Sequence, residues 1–279
     1  MEKYKEVEVR GGALHGVFLK WPKMKKVEDE IFHGITVEVE KIFSDYDGSR
    51  IIKDGTTTSI AVVSGGFGLG FDICVKRFKR KGVIREFFKK FSKGKAKGLF
   101  EKTLELIKRE LPLPEPIGFL EPNKGKGESY FFSRAIKNSE NLAVLYKDGE
   151  FNEAPDFAEI LARATANLYK GGVRHGDLKW SNILVTGIGG GGEEIYFVDM
   201  DQAEVFETLE KIPLKCIKKD LIRFYRYALE LSEVRPGAED WTANIFFPIL
   251  FRELGAEVST KLDIDEIGDL AKKAFKVSQ

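Results

Sequence analysis

Cysteine is scarce in this 279-residue chain. Cys74 and Cys216 are its two cysteines, and they form no C-x-x-C motif. That argues against a disulfide-built secreted protein and predicts a reduced, cytoplasmic one. Long apolar runs are missing too. The longest, around Ile245–Phe251, is far too short to span a bilayer. The charged start, Met1-Glu2-Lys3-Tyr4-Lys5-Glu6, predicts no secretory signal. Of three histidines, His15 and His33 stand alone in the sequence and read as structural or exposed residues, not ligands. An excess of one charge is also lacking. The net charge is +1, and no nucleic-acid partner is expected.

The near-zero charge hides an asymmetry. Residues 1–135 carry 27 Lys+Arg and 19 Asp+Glu, a net +8, whereas residues 136–279 carry 18 and 25, a net −7. The first half is the one expected to meet a polyanion. With 43% hydrophobic and 32% charged residues, the chain reads as a soluble globular protein. Its length suits one large domain or two lobes with a full core.

The chemistry concentrates in residues 173–203. His175, Asp177, Lys179 and Asn182 fit the pattern H-x-D-x-K-x-x-N. Phosphoryl transfer needs a carboxylate beside the attacking hydroxyl, oxygen ligands for magnesium, and a cation on the moving phosphate. Asp177 can orient or deprotonate the hydroxyl, and Lys179 can reach the γ-phosphate. Asn182 offers a side-chain carbonyl to the metal. Asp199, 17 residues later, ends an apolar run and can supply the second ligand. Between them, Ile183-Leu184-Val185 and Ile195-Tyr196-Phe197-Val198 flank Gly187 and Gly189–Gly192. That pattern predicts a hairpin bringing Asn182 and Asp199 side by side. Two such oxygens suit Mg²⁺, which takes few protein ligands and completes its shell with phosphate and water.

His175-Gly176-Asp177-Leu178-Lys179 with Asn182 resembles the catalytic loop of the protein-kinase-like superfamily. Val198-Asp199-Met200-Asp201 resembles its metal-binding D-F-G segment, with Asp201 where that motif has Gly. Within the superfamily the chain is most similar to the lipopolysaccharide kinases of the Kdo kinase type. Val75-Lys76-Arg77-Phe78, the Pro-Leu-Pro-Glu-Pro-Ile-Gly run from Pro112, and Val-Asp-Met-Asp-Gln-Ala carry that similarity. The resemblance implies a two-lobed α+β kinase-like fold with ATP and Mg²⁺ as cofactors. A β-rich lobe over residues 1–135 and a helical lobe over 136–279 are expected, with nucleotide in the cleft. The implied acceptor is a sugar hydroxyl of a glycolipid.

The earlier half fits that expectation. Residues 50–80 read as a β-meander, with strands near Arg50–Ile52, Ser59–Val63 and Phe71–Phe78. Gly65–Gly70 imitates a nucleotide-binding glycine loop, but it immediately precedes the Lys76 strand and suits the following turn. Lys53-Asp54-Gly55-Thr56-Thr57-Thr58-Ser59, which joins the first two strands, is the expected phosphate loop. Lys53, Gly55, Thr56 and Thr57 are its candidates for ATP contact. Lys76 lies among apolar residues and needs an anionic partner. By resemblance it binds the α/β-phosphates and pairs with a helix glutamate. Glu101 is the preferred partner, with Glu105 and Glu86 also available. Residues 34–43 alternate partially at Ile35, Val37 and Val39, and suggest a strand, like residues 5–20. By resemblance, Arg134, Ala135 and Ile136 form the hinge whose backbone meets adenine.

From Lys76 to Lys97 the chain holds eleven Lys/Arg and one acid, Glu86. Val83, Ile84, Phe87, Phe88 and Phe91 recur within it at helical spacing. One reading of residues 79–97 is a helix that docks on an anionic membrane surface or glycolipid. The other is a solvated face whose phenylalanines pack inward. Beyond Ala203, only 21 positions separate Asp199 from Asp220, which opens a periodic helix. No Ala-Pro-Glu motif and no long activation segment fit there, so a peptide substrate is not expected. Two alternatives stay open. One is a small-molecule phosphotransferase of the aminoglycoside or choline kinase type, and the other is a non-catalytic scaffold. The expected location is cytoplasmic, peripheral to the membrane if the basic segment docks.

Overall fold

The computed structural model describes residues 4–24, 29–44, 46–79, 94–123, 127–151, 155–188 and 192–278. Glu86 and most of the basic segment, with Val83 to Phe91, lie outside the described residues. The chain forms two compact units: Met1–Lys108 with Pro114–Lys137, and Arg109–Leu113 with Asn138–Gln279.

The first unit is built on one antiparallel sheet. Its strands are β1 (Lys5–Gly11), β2 (Leu14–Lys20), β3 (Ser49–Asp54), β4 (Thr58–Val63), β5 (Ile73–Phe78), β6 (Pro116–Pro122) and β7 (Ser129–Arg134). Their spatial order is β1-β2-β6-β7-β5-β4-β3. β4 alternates half-buried and buried along its whole length, the pattern of a strand with one covered face. Phe18, Phe32 and Phe132 are fully buried, and the Phe18 ring lies 5.2 Å from Phe32 and 5.1 Å from Phe132. Each such ring contributes roughly 1.5–3 kcal/mol by leaving water. The N-terminal hairpin β1–β2 extends the sheet beyond β6.

Residues 34–43 are not a strand. They finish helix α1 (Asp29–Glu38) and continue into a 3-10 turn, Val39–Phe43. Phe32, Ile35, Val39 and Ile42 are all fully buried while Val37 is exposed. Those spacings of three and four define a helix face, and they outweigh the two-residue alternation of Ile35, Val37 and Val39. A second helix, α2 (Lys95–Ile107), covers β6 and β7 and buries Leu99, Phe100, Thr103 and Leu106. Its first turn is capped from β6, where Glu121 accepts from Lys97 N–H at 3.0 Å.

The second unit is mostly helical. It contains β8 (Glu140–Asn141), α3 (Leu142–Asp148), α4 (Pro155–Lys170), β9 (Val173–Arg174), β10 (Ile183–Thr186), β11 (Glu194–Phe197), β12 (Glu204–Val205) and α5 (Leu214–Ser232). The chain ends with α6 (Ala238–Trp241), α7 (Phe247–Leu254), α8 (Ala256–Ser259) and α9 (Ile264–Ser278). Trp180, Phe224, Phe246 and Trp241 stack in its core at centroid distances of 4.8–5.7 Å. The split of residues 1–135 from 136–279 is crossed by Arg109–Leu113. Arg109 Nη1 donates to Gly171 O at 2.5 Å and Phe206 O at 2.7 Å, and Phe197 N–H donates to Pro112 O at 2.9 Å. Among the described residues no helix is long and apolar enough to cross a membrane.

Candidate active site

β10 and β11 pair antiparallel, Ile183 against Phe197 and Thr186 against Glu194. The pairing sets Asn182 beside Val198, whose N–H donates to Asn182 O at 3.0 Å. Asp199 follows in a left-handed conformation, φ 63°. Asp adopts it more readily than most side chains, because its short polar group can hydrogen-bond locally. A 3-10 turn, Met200–Gln202, comes next. The expected hairpin therefore forms, and it brings Asn182 and Asp199 to one end.

The loop leading in from β9 is fixed at Gly176, whose φ is +82° and whose added Cβ would lie 2.3 Å from Gln202 O. Glycine is the residue that fits there. Asp177 sits in this loop with 12% of its side chain accessible. Lys179 Nζ lies 3.2 Å from its Oδ2. Asn182 Nδ2 donates to Asp177 O at 2.9 Å and to Oδ2 at 3.2 Å. Arg223, on α5, donates Nη1 to Oδ1. Asp177, Lys179 and Asn182 thus form one constellation.

His175 is fully buried beneath the loop, and its Nδ1 accepts from Asp177 N–H at 3.3 Å. Burial pushes its imidazole down to about 4, against the opposing pull of the Asp177 and Asp199 charges. It is a neutral packing residue at pH 7. Asp220, also buried, holds the loop from α5. It accepts from His175 N–H at 3.0 Å and from Gly176 N–H at 3.0 Å. Burial pushes its carboxyl up to about 6, against the pull of those N–H groups and of Arg174, whose Nε is 3.7 Å away.

Asp220 and Arg223 escaped the sequence reading as site residues. The available signal was an acid among Cys216, Ile217, Leu221 and Phe224, on the apolar face of a helix. A carboxylate there needs a partner.

The donor set fits magnesium. With its amide nitrogen engaged by Asp177, Asn182 presents its oxygen as the remaining acceptor, and Asp199 adds a carboxylate. Both are hard oxygen donors of the kind Mg²⁺ takes in pairs alongside phosphates. Among the described residues no group of three or more His, Cys, Asp or Glu gathers to hold a metal.

The first unit carries the other predicted residues. Lys76 is buried on β5, opposite Ile60 of β4 and Phe131 of β7. Its Nζ lies 5.3 Å from the Phe78 ring centroid. Glu101 is half-buried on α2, 4.0 Å from Lys97 Nζ, and Glu105 is exposed one turn on. Lys53 is the penultimate residue of β3, and Gly55, Thr56 and Thr57 form the β3–β4 turn, closed by Gly55 N–H donating to Thr58 O at 2.9 Å. Lys53, Thr56 and Thr57 are exposed there. Gly65–Gly70 joins β4 to β5 and holds positive φ at Gly65, Gly66, Gly68 and Gly70. At the end of β7, Arg134 N–H donates to Glu115 O at 2.8 Å and Ala135 N–H to Asp72 O at 2.9 Å. Those two donors are engaged within the first unit.

The family model described as Lipopolysaccharide kinase (Kdo/WaaP) family matches residues 67–245. No curated protein matches the chain. Among solved structures, WaaP in complex with acyl carrier protein superposes with a TM-score of 0.55 at 14% identity, covering 85% of this chain and 90% of that one. Glucosamine kinase in complex with glucosamine, ADP and inorganic phosphate gives 0.53 at 12% identity, covering 97% and 87%. At such identities the likeness shows the fold, which is protein-kinase-like. The family match spans more than half of the sequence and includes the loop around Asp177. The chain is therefore a kinase belonging to the lipopolysaccharide kinase (Kdo/WaaP) family.

Proposed function

We propose that the protein transfers the γ-phosphoryl group of ATP to a sugar hydroxyl of a lipopolysaccharide core or related glycolipid. One observation carries the reading: Asp177 is held by Lys179, Asn182 and Arg223 beside a hairpin that ends in Asp199. Asp177 orients the acceptor hydroxyl and takes its proton as the new P–O bond forms and the bond to the leaving ADP oxygen breaks. Lys179 turns from the carboxylate to the transferring phosphoryl group. Asn182 and Asp199 hold the metal, and bound Mg²⁺ supplies charge neutralisation on the phosphates. In the first unit, Lys76 takes the α/β-phosphates and Glu101 orients Lys76. Lys53, Gly55, Thr56 and Thr57 contact the terminal phosphates, and the backbone of Arg134, Ala135 and Ile136 contacts adenine.

The acceptor class rests on the family together with the charge of residues 79–97, which suits an anionic membrane or glycolipid surface. Incubation with labelled ATP, Mg²⁺ and a panel of glycolipid, free-sugar, aminoglycoside and choline acceptors tests it. Label on a lipopolysaccharide core sugar is the expected result. Label confined to aminoglycoside or choline makes the protein a small-molecule phosphotransferase.

A further inference from the structure

The register of the first unit's sheet sorts the residues around the β3–β4 turn onto two faces. Residues directly opposite one another in antiparallel strands share a face. Lys53 pairs with Ile60, and Ile60 with Lys76, so Lys53 and Lys76 lie on one face. Asp54 pairs with Ser59, and Ser59 with Arg77, so these three lie on the other. Lys53 therefore flanks the turn on the face of Lys76, and Asp54 flanks it from behind.

Asp54 Oδ1 accepts from Ser59 Oγ at 2.5 Å and from Lys79 Nζ at 2.6 Å. The Lys79 bond, then the Ser59 bond, holds its carboxyl below the usual carboxylate range. Lys79 grips the turn a second time, its N–H donating to Thr57 O at 2.9 Å. Arg77 supports the cluster. Its Nη2 donates to Ser59 Oγ at 3.2 Å, its Nη1 lies 3.5 Å from Glu128 Oε2, and its Cζ lies 4.2 Å from the Phe43 ring centroid. Two cations, Arg77 and Lys79, face two carboxylates, Asp54 and Glu128, so the cluster carries no surplus charge for an outside anion. β3 is itself an edge strand, exposed from Arg50 to Asp54. Apolar packing does little to fix its end, and the Asp54 and Lys79 contacts take over that role.

Resting on the assignment above of residues 55–57 to the terminal phosphates, we propose that Asp54 and Lys79 are positioning residues for the phosphoryl donor. From the face opposite Lys76 they clamp both ends of the turn, Asp54 at its start and Thr57 O at its end. Thr56 and Thr57 are thereby held in place for the phosphates before nucleotide arrives, and less freedom is lost on binding. Neither Asp54 nor Lys79 touches the nucleotide.

Calorimetric titration of the full-length protein in Mg²⁺, with a non-hydrolysable ATP analogue and separately with AMP, tests this. Charge alone would make Asp54→Ala bind the analogue more tightly, because a negative group near the phosphates is gone. Positioning predicts the opposite sign. Asp54→Ala and Lys79→Met should each bind the analogue about fivefold more weakly, the scale of one partly exposed ion pair, with AMP affinity unchanged. The double variant should be no weaker than the weaker single one, since both changes remove the same contact. Lys79→Arg, which keeps the charge, should retain most of the affinity. Should Asp54→Ala not fold, Asp54→Asn takes its place with the same sign expected. Analogue binding that is unchanged or tighter in the Asp54 variant overturns the proposal, as does an equal loss for AMP. Gly55→Ala separates that failure from failure of the reading underneath. If it weakens analogue binding where the Asp54 variant does not, the positioning role alone falls. If it is silent too, the assignment of the phosphates to this turn falls with it.

Discussion

Asp177 gathers Lys179, Asn182 and Arg223, and each of those contacts orients the same carboxylate. Asp177→Asn keeps the shape and removes the proton acceptor. Turnover should fall on the order of a hundredfold or more while ATP affinity stays near wild type. A folded variant with ordinary turnover would take Asp177 out of the mechanism. Two buried groups beneath the loop oppose one another in acid. His175 titrates at about 4 when folded and at 6.5 unfolded, so its contribution is lost as pH falls through that window. Asp220 titrates at about 6 when folded and at 3.8 unfolded, so its ionisation penalty is relieved over nearly the same window. The two slopes nearly cancel. Asp220→Asn leaves the histidine slope alone, and stability should then fall more steeply than in wild type as pH drops from 6 to 4. Denaturant melts at several pH values measure this, and parallel profiles would refute it. The spacing of Asp177, Lys179, Asn182 and Asp199 was legible because one loop and one hairpin hold all four. Asp220 and Arg223 were not, since they reach Gly176 and Asp177 from 44 and 46 residues away. No local pattern encodes such a contact.

At the scale of elements, the strands with strong signals were readable. β4, β5, β10 and β11 combine β-branched or aromatic runs with flanking glycines or turns. Residues 34–43 misled because three apolar residues alternate over a helix whose real period shows only when Phe32 and Ile42 are included. The two glycine-bearing connections should separate by assay. Gly68 has φ +89° and Gly55 an ordinary φ. Gly68→Ala should destabilise the first unit by roughly 1–2 kcal/mol through left-handed strain and leave ATP affinity unchanged. Gly55→Ala, with its added Cβ 3.2 Å from Thr58 O, should weaken ATP binding more than it lowers the melting temperature. The reverse assignment of effects would move the phosphate loop to Gly65–Gly70.

For the whole molecule, charge divides unequally, +8 over residues 1–135 and −7 over residues 136–279. If residues 79–97 meet an anionic surface, each cation there adds about 1 kcal/mol. Neutralising Lys89, Lys90 and Lys93 together should abolish co-sedimentation with anionic vesicles, and about 0.1 M salt should weaken wild-type binding, since screening sets in within about 10 Å. Wild-type protein that ignores such vesicles at low salt would remove the membrane surface from the account. The most direct test of the central claim is phosphate transfer from labelled ATP to a soluble lipopolysaccharide core oligosaccharide, with wild type and Asp177→Asn side by side. The account predicts magnesium-dependent label on a sugar hydroxyl with wild type, reduced on the order of a hundredfold in the variant. ATP turnover by wild type with no label on the oligosaccharide, or equal label from both proteins, would contradict it.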